Sequence, residues 1–364
     1  MRRSTVILLC LITLLGLCGC TRGQEPAPEP QSAASGEAPS AGESAAEQTA
    51  LPRSYAVSEL LPDVPGQGSA ALLSVRSDGT VDYIFHARTR EELEREGLDT
   101  LAGAGCRYYV LSPDGTAAAQ PTDWMERLDE ALRAADAEDA ATAWTLSFSA
   151  CEGHILILAE LRDRAEQTVR HTALYHLYEN ELTQIPLRWT VENGAVRQIP
   201  RDGFYAMADG VLIWDARTGD GASFFRFAFD GSPVSRLDEG GDPVESPFGV
   251  GQNAVWLMRY HQVAALDREN GTALAQHAWS GGATIRSYAV TPDGGALYLL
   301  SNEYGKTTLR LERFARDGAA QPHAALQFDE TVLPPACLAA ANDGTLYLVT
   351  EDSRRAVLQQ YRPE

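Results

Sequence analysis

Beyond residue 54 the apolar residues of this chain gather in short runs, each introduced by a tight-turn pair. VDYIF follows Asp78-Gly79, HILILAEL follows Glu152-Gly153 and VLIWD follows Asp209-Gly210. AVWLM follows Gln252-Asn253, GALYLL follows Asp293-Gly294 and TLYLVT follows Asp343-Gly344. β-Branched and aromatic residues fill the runs, as pleated strands favour, and Asp-Gly pairs supply the positive φ of a two-residue hairpin. A second set of turn pairs lies one hairpin further on: Asp114-Gly115, Glu179-Asn180, Asp230-Gly231, Asn270-Gly271 and Asp317-Gly318. The unit therefore reads strand, tight turn, strand, looser loop, strand, tight turn, strand. That is a four-stranded antiparallel meander.

Five intervals separate Asp78 from Asp343, about 53 residues each. Two helical insertions in the first interval bring the unit down to about 45 residues, the size of a propeller blade. The expected fold is all-β, a β-propeller of six blades; a seventh stays open if residues 189–199 form part of another unit. The last unit is one strand short, and residues 54–60 are placed to supply its outer strand and remove a free sheet edge. The first insertion is a helix opened by the capping box Thr89-Arg90-Glu91-Glu92 and ending near Gly97. The second opens at Asp123-Trp124 and sets Trp124, Leu128 and Leu132 on one stripe. Both fall in connections assigned to the face opposite the tight turns. On a propeller that face of irregular loops is the expected binding face, with Trp124 as a candidate contact. The competing role for these helices is to cap the blades, with Trp124 packing on the sheet edge.

The innermost strands are predicted around residues 69–71, 147–150, 205–208, 248–251, 287–289 and 337–341. Small residues there let six strands crowd one axis. Asp202, Glu245 and Arg286, near the starts of such strands, are the candidate polar groups at the mouth of the channel.

The segment VAALDRENG, from Val263 to Gly271, resembles the ALDxxTG repeat of quinoprotein-like propellers. SPDGT at Ser112 and TPDGG at Thr291 resemble the turns of WD40-like bacterial repeats. The resemblance implies the fold and carries no activity. The adjacent Cys pair and metal-ligand cluster of quinoprotein dehydrogenases have no counterpart in the sequence.

Ahead of the repeats stand Met1-Arg2-Arg3, an apolar run from Val6 to Leu17, and Leu17-Cys18-Gly19-Cys20. This reads as a secretory signal, and the run is shorter than the roughly 20 residues that span a bilayer. Its end resembles the bacterial lipobox, with Cys18 where Ala, Ser or Thr is usual. The resemblance implies cleavage before Cys20, lipidation of Cys20 and anchoring on the extracytoplasmic face of the cell membrane. In a Gram-negative envelope Thr21, rather than Asp, would permit sorting to the outer membrane. Residues 1–19 are thus the expected signal peptide, 20–53 the lipidated Cys with a disordered linker, and 54–364 the propeller. The linker is rich in Ala, Pro, Ser and Glu, lacks aromatics, and as a flexible chain reaches roughly 30 Å.

The formal net charge of −20 becomes −22 once residues 1–19, with Arg2 and Arg3 and no acid, are removed. Such a surface repels phosphate backbones, so nucleic acid is not an expected partner. The acyl chains, rather than a basic patch, must then hold the membrane. Acidic residues along the second helix, Glu126, Asp129 and Glu130 among them, read as a solvated face. Cys106, Cys151 and Cys337 are scattered in apolar contexts, with no CxxC spacing, and read as core thiols. His171 and His176 lie five apart on one predicted strand and so face opposite ways. The chain lacks GxSxG, P-loop, HExxH and GxGxxG patterns, and no cofactor or metal is expected. The leading reading is a non-enzymatic binding or scaffold module for a protein or glycan partner. One alternative is a six-bladed hydrolase or lyase with its site at the channel mouth. The other is an envelope assembly factor resembling the propeller lipoprotein of outer-membrane protein insertion.

Overall fold

The computed structural model describes residues 55–60, 69–86, 106–121, 123–135, 141–166, 168–187, 199, 203–215, 223–238, 244–259, 262–279, 283–303, 309–317, 335–351 and 356–364. Six antiparallel sheets follow one another around a common axis. The first holds β2 (Ser69–Val75), β3 (Val81–His86), β4 (Cys106–Leu111) and β5 (Ala117–Ala119). The second holds β6 (Thr142–Cys151), β7 (His154–Asp163), β8 (Val169–Tyr178) and β9 (Glu181–Gln184). The third holds β10 (Phe204–Met207), β11 (Gly210–Asp215), β12 (Ser223–Phe227) and β13 (Pro233–Asp238). The fourth holds β14 (Val244–Val250), β15 (Ala254–Arg259), β16 (Gln262–Asp267) and β17 (Ala273–Ala278). In the fifth, β18 (Ala283–Val290), β19 (Ala296–Glu303) and β20 (Arg310–Ala315) are described. The sixth holds β21 (Pro335–Ala340), β22 (Leu346–Glu351) and β23 (Ala356–Pro363), completed by β1 (Tyr55–Leu60).

The inner strands β2, β6, β10, β14, β18 and β21 each pack on the next, and β21 packs on β2, which closes the ring. The protein is a six-bladed β-propeller, and the inner strands are those expected from the sequence. With the ring closed at six, a seventh blade has no place. Closure is made by the N-terminal strand: β1 pairs with β23 from Tyr55 opposite Pro363 to Leu60 opposite Leu358. Tyr55 and Tyr361 reinforce the seam edge to face, with ring centroids 6.4 Å apart.

Middle strands are buried on both faces, which is why they read as continuous apolar runs instead of alternating ones. On β7, Ile155, Ile157, Ala159 and Leu161 face blade 1, while Leu156 and Leu158 meet Phe204 and Val211 of blade 3. All glycines of positive φ among the described residues sit in the turns joining first to second or third to fourth strands, together with Glu152, Glu179 and Asn180. These turns also tie blade to blade around the axis. The Ser77 amide and hydroxyl donate to Glu152, the Gln252 amide to Pro292 O, and the Asp293 amide to Asn342 Oδ1.

One helix is described, α1 (Asp123–Ala135), and it corrects the expectation for the second insertion. The apolar stripe is as read, with Trp124, Met125, Leu128 and Leu132 buried. The placement differs, because α1 does not rest on the loop face. It wedges between blades 1 and 2, against Leu72, Ile84 and Cys106 on one side and Ile157, Tyr175 and Leu177 on the other. Its first turn is held at the tight-turn end of blade 2, where Asn180 Nδ2 donates to Asp123 Oδ1 (2.9 Å) and Arg127 donates to the Asn180 carbonyl. The stripe packs on residues of β2, β3 and β4 in blade 1 and of β7 and β8 in blade 2. The first expected helix, near residues 89–97, lies outside the described residues, as does most of 189–199. Among the described residues no helix is long and apolar enough to cross a membrane.

Candidate functional site

The axial space is small, about 220 Å³, and its walls come from the inner strands. Leu73, Phe148, Tyr205, Phe248 and Tyr288 supply bulk, with alanines and Gly249 between them. The serine hydroxyls there are spent on joining strands: Ser74 Oγ donates to Ala150 O (3.2 Å), and Ser149 Oγ accepts from the Ala206 amide (2.9 Å). Among the described residues no group of three or more His, Cys, Asp or Glu stands close enough to hold a metal ion.

The candidate residues of the channel mouth are not brought together there. Asp202 lies outside the described residues. Glu245 is placed on β14, but its side chain lies outside them too. Arg286 is exposed on β18, beside a bulge between Ile285 and Ser287, and its Nε donates to Asn302 Oδ1 (2.7 Å). It is absent from the wall of the axial space. Trp124 is 1% exposed and packs between the sheets, in line with the capping role and not with a surface contact. Cys20 lies outside the described residues.

A larger cleft, about 480 Å³, opens between blades 1 and 2 at their tight-turn ends. That size falls within the roughly 300–1,000 Å³ of ligand pockets. Its floor is built from Val110, Pro121, Ile155 and Leu177, with Tyr108, Trp124 and Tyr178 as aromatic walls and Arg76, Glu152, Glu179 and Asn180 as polar ones. Tertiary structure alone assembles it, since the residues come from two blades and a helix.

Arg76 is anchored from below. Its Nε and Nη2 donate to the two carboxylate oxygens of Asp82 at 2.9 and 2.6 Å, and the Tyr108 hydroxyl donates to the same carboxylate at 2.6 Å. Asp82 is completely buried. These contacts hold the Arg76 pKa above the usual guanidinium range, with the Asp82 hydrogen bond as the main cause. Burial, then the Asp82 charge, pushes the Tyr108 phenol up. Opposite, Gly153 lies so close that a Cβ there would sit 3.0 Å from the Arg76 guanidinium carbon. Glu152, Glu179 and Asn180 hold φ of 51°, 48° and 64°, a left-handed conformation uncommon outside glycine. The three line this cleft. Two polar atoms of lining residues, Trp124 Nε1 and Asn180 Oδ1, are buried and have no hydrogen-bond partner among the described residues.

Sequence reasoning also missed a histidine pair. His154 Nδ1 and His176 Nε2 lie 2.9 Å apart, across β7 and β8. Their centroids are 5.1 Å apart and their planes 19° apart, so the rings meet edge to edge in one hydrogen bond. Tyr178 stacks on His154 at 4.1 Å and Phe229 of blade 3 on His176 at 3.8 Å. Burial lowers both pKa values, that of His176 to about 4 with the His154 charge contributing. His171, as expected, points the other way, edge-on to Trp144. Cys106 is buried, and desolvation first, then the Asp129 charge, pushes its thiol up to about 12. Cys151, likewise desolvated, is also raised to about 12.

No protein-family profile matches the chain, and no curated protein matches it. Solved structures do. A chain of the mitotic checkpoint complex is 11% identical, over 90% of this chain and 96% of that one, with a TM-score of 0.41. The C-terminal WD40 domain of Sif2 is 10% identical, over 80% and 81%, with a TM-score of 0.37. The acylaminoacyl peptidase of Pyrococcus horikoshii is 10% identical, over 82% of this chain and 52% of that one, with a TM-score of 0.42. The propeller assignment rests on the strand order and the closed ring described above.

Proposed function

We propose that this protein is a lipid-anchored propeller, displayed on the extracytoplasmic face of the cell membrane, that binds a protein or glycan partner without catalysing a reaction. The observation that carries the binding role is the cleft between blades 1 and 2: it is open, and apolar, aromatic and charged residues line it together. The lipobox-like Leu17-Cys18-Gly19-Cys20 and the core-less linker behind it support the anchoring.

The position of β1 adds an orientation. Tyr55 lies opposite Pro363, and Tyr361 lies opposite Leu346, just past the Asp343-Gly344 turn. The first strand therefore enters the propeller at its tight-turn end, the end at which the cleft opens.

Labelling with a palmitate analogue and cell fractionation test the anchor. The wild-type chain should be labelled and pellet with membranes, and Cys20→Ala should be neither. An unlabelled, soluble wild type would overturn the anchoring. A photocrosslinker at Gln120, on the cleft wall, tests the binding role in cells; the absence of any discrete adduct would overturn it.

A further inference from the structure

We infer that the ring stack of Tyr178, His154, His176 and Phe229 is an acid-released latch that holds the tight-turn end of blade 2 against blade 3. The latch acts whether or not a partner occupies the cleft.

Geometry sets the proton count. His154 Nδ1 and His176 Nε2 lie 2.9 Å apart, and a centroid separation of 5.1 Å with planes 19° apart lays the two rings end to end. Such a bond needs one N–H and one lone pair. A metal ion between these nitrogens would need about 4 Å, twice a zinc–imidazole distance, so the gap fits a proton and not an ion. Tyr178 stacks on His154 at 4.1 Å and 10°, and Phe229 on His176 at 3.8 Å and 5°. Phe229 also lies 4.9 Å from His154, so one ring of blade 3 engages both histidines. The turn that carries Phe229 is pressed on blade 2 as well: a Cβ on Gly231 would come within 2.5 Å of the Pro186 carbonyl oxygen.

The pair accepts one added proton but not two. With one, the bond becomes charge-assisted and the flanking ring faces favour the cation. With two, N–H meets N–H across the same 2.9 Å and two cations face each other. Burial opposes the charging of both rings, lowering His154 from 6.5 and His176 to about 4, where the His154 charge adds to the effect. Arg76 of blade 1 acts on His154 in the same sense, and Glu152 and Glu179, in the neighbouring turns of blade 2, act against it. From blade 3, Asp230 follows Phe229, and its Oδ1 accepts from the Ser232 amide (2.8 Å). The histidines titrate as a pair, and the second proton arrives well below neutrality. As pH falls through that step the stack parts, and the Glu179-Asn180 turn, which continues from Tyr178, loses its hold on blade 3.

The test is hydrogen–deuterium exchange of the full chain in detergent between pH 7 and pH 4, read by mass spectrometry and corrected for the intrinsic rate. Peptides over residues 175–184 and 226–233 report the latch, and residues 291–296, a turn of blade 5, serve as the control. Protection in both latch peptides should fall about tenfold or more toward pH 4 while the control holds, since one pKa unit of linkage is a factor of ten. His176→Gln keeps a donor and an acceptor beside His154 and cannot take the second proton, so its latch peptides should stay protected. In the wild type, imidazole 15N resonances follow the protons directly, and the opening should coincide with the second one. Latch peptides that track the control, an equal loss in His176→Gln, or an opening complete at the first proton would overturn the inference.

Discussion

Asp82 is the residue on which the cleft wall rests. It is completely buried on β3, and three donors converge on it: Nε and Nη2 of Arg76 and the Tyr108 hydroxyl. Asp82→Ala removes the acceptor for all three at once and leaves a half-buried guanidinium facing a cavity. Breaking a buried pair from one side costs about 3–5 kcal/mol, since the remaining charge keeps its desolvation penalty and loses its compensation. Arg76 is 26% exposed at its side chain, so water recovers part of that cost and the lower end, about 3 kcal/mol, is expected. Urea unfolding followed by far-UV circular dichroism should show an earlier midpoint with an unchanged slope. The double variant Arg76→Met with Asp82→Leu should be much closer to wild type, because it removes both charges together. A loss below about 1 kcal/mol in Asp82→Ala, or a double variant as unstable as the single, would refute the view that an ion pair buried on one side supports this wall.

The histidine pair predicts a pH dependence. Both folded pKa values lie below the ordinary 6.5, so the unfolded chain takes up protons first as pH falls, and the contribution to stability present above about pH 6.5 is lost toward pH 4. With the rings partly exposed, screening leaves about 1–2 kcal/mol, and His176→Phe should flatten that window in a comparison of urea midpoints. Gly251→Ala would bring a Cβ within 2.3 Å of the Gly294 amide nitrogen in the next blade's turn; a loss of about 2 kcal/mol or more in melting experiments is expected, and an unchanged melt would contradict the crowding. Removal of residues 54–60 should open the ring at β23 and abolish cooperative unfolding, with a synthetic copy of the segment restoring it in trans. A fully cooperative melt of the truncated chain would show that closure does not depend on β1.

The sequence by itself carried the fold, because the signals that define a propeller are local. Turn pairs such as Asp78-Gly79 and Asp343-Gly344 fix hairpins through backbone sterics, and runs such as that of β7 report burial on both faces. Even the closing strand was legible, since a unit one strand short and an unassigned strand-like segment at the other end leave one economical pairing. The stripe on α1 was legible for the same reason, being a matter of helical period.

Where that stripe points was decided only in three dimensions, by the facing sheets of blades 1 and 2 that cover it. The cleft, the Arg76–Asp82–Tyr108 anchor and the His154–His176 pair belong to the same class. Their members lie far apart along the chain or on different strands, and no periodicity relates them. Side-chain period sets which way a residue faces within its own sheet; which residues then meet across two blades depends on how the ring closes, and only the packed structure holds that information.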